Sequence, residues 1–170
     1  PVGVSAGNRS ISEGNEFRES EGVANAIIQN DNAIILWFQA SDWVNPNQMA
    51  RAAPVQVTIF ELSTPAKFTQ TPVSMLLSDP SKALGADLRR RQGVILAPGE
   101  TISISWNVKQ TGYFGILADF RIPSVLPAQQ KLTFPFDGKS NSMVNIRLFG
   151  NNVVEVKDSS IGSAPGDWVA

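Results

Sequence analysis

The chain has 170 residues, a formal net charge of −1, and neither cysteine nor histidine. That length suits one domain, which would bury roughly 70% of its unfolded surface and need no disulfide or metal to hold it. Without thiols or imidazoles there are no Cys/His zinc sites, cysteine nucleophiles or histidine-dependent triads. The near-neutral charge argues against a nucleic-acid binder and leaves binding or carboxylate chemistry.

No stretch reaches the ~20 apolar residues that a membrane-spanning helix requires. The sequence starts at Pro1 rather than Met, which reads as a mature or trimmed chain whose targeting segment, if any, lies upstream. Residues 1–32 are rich in Gly, Ser, Asn and Glu, with Val23–Ile28 as the local apolar cluster. They are expected to form a flexible arm with at most one short helix or strand, spanning about 30 Å if disordered.

From Ala33 the pattern is of period two, and residues 33–157 are expected to form the folded domain. The apolar run Ala33–Ala40 is a first strand. It is followed by a turn-rich, amide-bearing segment and then, after Pro54, by the alternating Val55, Val57 and Ile59 of a second strand. In Thr101–Val108, Ile102, Ile104, Trp106 and Val108 share one face and polar residues the other, the mark of a strand with one dry side. Leu132, Phe134 and Phe136 repeat the pattern, as do Val144, Ile146 and Leu148. Tyr113–Phe120 reads as a central strand and Val153–Val156 as the last. Ala97–Pro98–Gly99–Glu100 is a type II turn and Gly150–Asn151–Asn152 a hairpin turn.

Residues 66–92 break the period. Thr71–Pro72 and Asp79–Pro80 each read as an N-cap followed by a first-turn proline. Leu76 and Leu77 follow the first signal; Ala83, Leu84 and Leu88 follow the second at helical spacing, with Gly93 as the stop and Gly85 as a weakness inside. The fold class is therefore all-β, a two-sheet sandwich with a short helical insertion after its second strand. Residues 158–170 read as a loose tail.

Arg89–Arg91 is the densest charge cluster. At a helix C-terminus it would complement the macrodipole; the alternative is a phosphate or lipid-headgroup contact. Asp119 and Arg121 are two apart on a strand and are expected to share a face as an ion pair. Asp42, Asp119 and Asp137 are the strand-adjacent carboxylates, and a hydrolase would need two of them to converge. Trp106 is expected in the core, whereas Trp43 and Trp168 fall in loop and tail and are interaction candidates. The connection Asp42–Ala53 is too long for a tight turn and too rich in breakers for a crossover helix. It is either an inert crossover or a functional loop.

Four pieces stand in a characteristic order: NPNQMARAAPVQVTIFEL (Asn45–Leu62), the helical insert with Phe68 and Met75–Leu77, DPSKALGADL before VILAPGE (Asp79–Glu100), and TGYFGILADFR (Thr111–Arg121). The series resembles the type VI secretion outer-membrane lipoprotein family (TssJ/SciN/VasD type) over roughly 34–156. The resemblance implies a transthyretin-like β-sandwich, lipid-anchored upstream to the outer membrane and facing the periplasm. It also implies a partner, the C-terminal periplasmic region of the IcmF-like (TssM) inner-membrane protein, met by the loop between the first two predicted strands. The matching positions are Asp42–Ala53. Asn45, Asn47 and Gln48 would supply hydrogen bonds, Trp43 and Met49 apolar anchors, and Arg51 a charged contact, with Asp42 at the loop's start. No cofactor, metal or nucleic acid is expected. The lipid-bearing cysteine of the family is absent from this sequence, and a transthyretin-like or carbohydrate-binding module with a different partner is the alternative.

Overall fold

The computed structural model describes residues 8–12, 32–122 and 129–157. The apolar cluster at 23–28, most of the expected arm, the tail at 158–170 and Trp168 lie outside the described residues. Nine strands are described: β1 (Asn8–Ser12), β2 (Asn32–Ala40), β3 (Val55–Leu62), β4 (Leu88–Leu96), β5 (Thr101–Val108), β6 (Gly112–Asp119), β7 (Lys131–Phe136), β8 (Ser142–Phe149) and β9 (Asn152–Val156). They form a five-stranded sheet in the order β1-β5-β2-β8-β9 and a four-stranded sheet in the order β4-β3-β6-β7. In the first sheet β2 runs antiparallel to β5 and parallel to β8, while the second sheet is antiparallel throughout. The expected first and second strands are thus β2 and β3, because β1 precedes them.

The alternation does what period two requires. Ile34, Leu36, Phe38 and Ala40 of β2 meet Ile102, Ile104, Trp106 and Val108 of β5 in the core between the sheets, with Val55, Val57 and Ile59 of β3 opposite. Trp106 is fully buried and packs edge-on against Phe114 at 5.4 Å. The turn at Ala97–Glu100 has Gly99 at φ 78°, and the Glu100 amide donates to the Ala97 carbonyl at 3.0 Å, as the Pro-Gly pair dictates.

The insertion after β3 is shorter and more broken than the sequence suggests. It comprises α1 (Ala66–Gln70), α2 (Val73–Ser78), α3 (Pro80–Leu84) and a 3-10 turn at Gly85–Asp87. Asp79 caps α3 through its side chain, accepting from the Lys82 amide at 3.2 Å. Thr71 is not a cap: its hydroxyl donates back to the Lys67 carbonyl at the end of α1. Gly85, at φ 55°, does not weaken a helix but ends it. Leu88–Arg91 accordingly begin β4, and Gly93 sits in mid-strand opposite Thr58. The pull of pairing with β3 outweighs the local helical spacing, so the arginine run complements no helix terminus.

A second core lies outside the four-stranded sheet. Phe60 and Leu62 of β3 and Leu117 of β6 turn away from the first core and are covered by Phe68, Leu76 and Leu84 of the insertion. This is why Tyr113–Phe120 reads as a strand apolar on both faces. At Gly115 the fit is tight: a Cβ would lie 3.0 Å from two ring carbons of Phe68 and 3.1 Å from Leu62, so the neighbours would have to shift. Lys131 straps the insertion down, its ammonium donating to the Phe68 carbonyl at 2.9 Å and the Thr69 carbonyl at 3.2 Å while lying 5.5 Å from the Phe68 ring centre. Partial burial pushes the Lys131 ammonium below its usual range.

Candidate functional site

The segment between β2 and β3 leaves the five-stranded sheet at Ser41 and enters the other at Val55. Its course divides into a buried base and an exposed tip. At the base, Val44 is fully buried and Asn45 is 3% exposed. Asn45 adopts φ 53°, a conformation that asparagine tolerates better than most residues. Its side chain donates to the Pro54 carbonyl at 2.7 Å and accepts from the Arg121 amide at 2.6 Å, while its own amide donates to the Gly150 carbonyl at 2.7 Å. Arg121 completes the clamp. Its guanidinium donates to the Asn45 carbonyl at 3.2–3.3 Å and to the Arg51 carbonyl at 2.9 Å.

The tip is a closed turn. The Asn47 side-chain oxygen accepts from the Met49 and Arg51 amides at 2.8 and 2.9 Å, and its backbone pairs with Arg51 and Ala50. That Asx-type arrangement fixes the backbone locally, and the Arg121 guanidinium ties the Arg51 carbonyl to the rest of the domain. Gln48, Ala50 and Arg51 are exposed, and Met49 is 71% exposed. Beside the tip, Trp43 is 55% exposed yet rests edge-on against Phe149, with ring centres 6.0 Å apart, and over Gly150. Asp42 is exposed next to Gly99 in the neighbouring turn. Ile122, 40% exposed, lies on the same end, its carbonyl held by the Asn151 amide group.

The seven residues singled out from the sequence therefore share one end of the sandwich but not one role. Asp42, Trp43, Gln48, Met49 and Arg51 present surface. Asn47 spends its oxygen shaping the tip. Asn45 is a correction: buried and bonded on every side, its side chain is closed to an outside partner. Arg121 is the residue that sequence reasoning misassigned. Rather than pairing with Asp119, it reaches the loop. Its partner Asn45 lies 76 residues away, so no local spacing announces it.

The arginine run has an internal use as well. Arg90 and Arg89 approach the 6% exposed Glu61 at 2.8 and 3.5 Å, and the Trp106 indole donates to the same carboxylate at 2.8 Å. The Arg90 guanidinium lies 4.6 Å from the centre of the Trp106 ring, and burial pushes it down to about 10. This network closes the far end of the sandwich. Asp137 is at that far end, just after β7, while Asp42 and Asp119 lie by the loop, so the three strand-adjacent aspartates do not converge. Among the described residues no group of three or more acidic side chains is placed to hold a metal.

Comparison with solved structures gives the same architecture. The chain superposes on the T6SS lipoprotein TssJ1 of Pseudomonas aeruginosa with a TM-score of 0.67 and 24% identity, covering 75% of this chain and 98% of that one. It matches Serratia marcescens Lip, described as a membrane-bound component of the type VI secretion system, with a TM-score of 0.65 and 19% identity over 74% of this chain and 97% of Lip. A chain of the structure described as the T6SS protein TssM C-terminal domain from EAEC matches with a TM-score of 0.63 and 18% identity, over 72% of this chain and 99% of that one. No protein with a curated description matches the sequence. Residues 32–151, well over half of the sequence, match the family described as type VI secretion lipoprotein, VasD, EvfM, TssJ. That span holds both sheets' core strands, the insertion and the clamped loop, and the chain belongs to the type VI secretion lipoprotein family.

Proposed function

We propose that this domain is a non-catalytic structural component of the type VI secretion membrane complex. It faces the periplasm, is tethered to the outer membrane by a lipid upstream of this sequence, and binds the C-terminal periplasmic region of the IcmF-like (TssM) inner-membrane component through the 41–54 loop. Residues 33–157 are the binding body and 1–32 the arm leading to the anchor. Contact is made by Asp42, Trp43, Gln48, Met49 and Arg51, with Asn47 holding the tip in shape and Asn45 and Arg121 holding its base.

The observation that carries this reading is the pairing of an exposed methionine with a backbone turn closed by its own hydrogen bonds. A tip closed by its own hydrogen bonds and clamped at its base loses little conformational entropy on docking, so contact energy goes into affinity. Large exposed side chains such as Trp43 and Met49 supply apolar area, and Gln48 and Arg51 supply a polar rim. Membership of a secretion lipoprotein family and the likeness to a chain in the TssM C-terminal domain structure support the choice of partner.

The test is capture of the partner's C-terminal periplasmic region by a Met49→Ser/Arg51→Glu variant. Affinity should fall at least ~30-fold, the size of a hot-spot loss of ~2 kcal/mol. The thermal midpoint should stay put, because both side chains are exposed. Undiminished capture would reject the loop as the interface.

A further inference from the structure

Strand β1 is five residues long, lies at the edge of its sheet and pairs with β5 alone. The pairing is parallel, from Asn8 opposite Thr101 to Ser12 opposite Ser105. Parallel ladders are somewhat weaker per residue than antiparallel ones, and an edge strand has a neighbour on one side only.

The direction of that pairing has a geometric consequence. Thr101 follows the turn at 97–100, whose Gly99 amide donates to the Ser41 carbonyl and whose Glu100 carbonyl accepts from the Ala40 amide. Asn8 therefore stands at the end of the sandwich that bears the 41–54 loop. On the other side of β5, β2 begins at Asn32 opposite Val108, at the far end. The two points from which the chain runs toward its amino terminus are separated by the length of β5, eight residues or about 25 Å.

We infer that β1 is a displaceable clasp that decides from which end of the sandwich the amino-terminal tether departs. With β1 docked on β5, the tether leaves beside the 41–54 loop. With β1 released, it leaves from Asn32 at the opposite end, 24 residues further along the sequence than Asn8. The meaning for assembly rests on the proposed anchoring. Docked, the clasp holds the loop toward the membrane that carries the lipid; released, it lets the loop face the opposite way, toward an inner-membrane partner. Release is then the step that partner capture requires.

This sequence holds no cysteine, so introduced thiols are its only ones. A spin label on Asn8→Cys should broaden the amides of Trp43–Met49 and of the 97–100 turn and spare Lys109, Gln110 and Lys139. Broadening at Lys109 and Lys139 instead, or at neither end, overturns the docking direction. Hydrogen exchange reads displaceability: β1 amides should be at least ~100-fold less protected than those of Leu36 and Phe38. Equal protection makes β1 a fixed strand and ends the proposal.

The register partners Ser10→Cys and Ser103→Cys should form a disulfide that raises β1 protection at least tenfold. The out-of-register pair Asn8→Cys and Ser105→Cys should not. With the protein immobilised through its amino terminus, the locked form should capture the TssM C-terminal region at least tenfold more weakly than after reduction, and equal capture by both forms overturns the orientation role. The relaxation and exchange measurements need no partner. Failure of capture in every form would therefore count against the proposed partner and leave the clasp to be judged on its own data.

Discussion

Strand β3 is entered through one long irregular segment and left through another, and the two behave in opposite ways. The 63–87 insertion folds back on its own sheet and buries Phe68, Leu76 and Leu84 against Phe60, Leu62 and Leu117. The 41–54 loop buries Val44 and Asn45 and then holds Met49 out in solvent. Both are breaker-rich, the insertion 25 residues long and the loop 14, so punctuation alone does not separate them. What does is the partner surface. The outer face of β3 turns apolar at Phe60 and Leu62 and recruits a cover, whereas the loop's last turn bonds to itself and has nothing to cover.

The largest effect that would test this contrast is Phe68→Ala. The ring is fully buried, packs on Phe60 at 5.4 Å and fills the space left by Gly115. Its loss should lower the unfolding free energy by about 3–5 kcal/mol, read as a shifted denaturant midpoint. Met49→Ala, at the exposed tip of the loop, should change it by less than ~0.5 kcal/mol. Similar shifts for the two variants would erase the distinction between a sealed segment and an open one.

Within the loop, base and tip can be set against each other. Asn45→Ala removes the part-buried bonds to the Pro54 carbonyl and the Arg121 amide and puts alanine at a positive φ. Losing both bonds and adding left-handed strain should cost about 2–3 kcal/mol. Asn45→Gly keeps the backbone conformation but not the bonds, so it should recover the strain component alone. If both variants unfold at the wild-type midpoint, the base is not a clamp, and the argument for a pre-shaped tip fails with it.

The strands of this protein were legible because their side chains alternate between a dry core and water: β5, β7 and β8 announce themselves residue by residue. β2 hides the same alternation inside an apolar run, with Ile35 and Trp37 half-buried on its outer face. β4 was not legible. Leu88 falls at helical spacing from Ala83 and Leu84, and three arginines suit a helix end. Pairing along the whole of β3, Arg90 opposite Glu61 included, makes the segment a strand. A hint was available in VQVTIFEL, where Phe60 and Leu62 occupy the face that Gln56 and Thr58 leave polar. The loop could be located from its punctuation, but Asn45 and Asn47 look alike in sequence. Their different fates depend on Arg121, which only the folded sheet brings within reach.

A smaller effect sharpens the reading of the tip. Ala50 sits at φ 62° within the turn that Asn47 closes. Alanine there carries a left-handed penalty that glycine avoids, offset in part by the extra entropy glycine loses on folding. Ala50→Gly should therefore stabilise the protein by about 0.5–1 kcal/mol without altering the exposed side chains. Destabilisation would mean that the tip is held less tightly than its hydrogen bonds imply.

The finest discriminator is pH. With no histidine in the sequence, no side chain of ordinary pKa titrates between pH 6 and 8, so stability there should be level to within a few tenths of a kcal/mol. At higher pH the insertion should respond through Lys131, and the far-end network through Arg90, whose guanidinium is lowered by burial to about 10. The Lys131 ammonium is held below the usual lysine range by burial, so the folded state releases this proton before the unfolded chain does. Between the folded pKa and the ordinary value of about 10.5 the unfolded state binds more protons, and this group's contribution to stability rises with pH. The difference in unfolding free energy between the wild type and Lys131→Met should accordingly be constant below that window and grow in the wild type's favour across it. A difference that shrinks there would mean that the strap on the insertion depends on the charge more than on the hydrogen bonds.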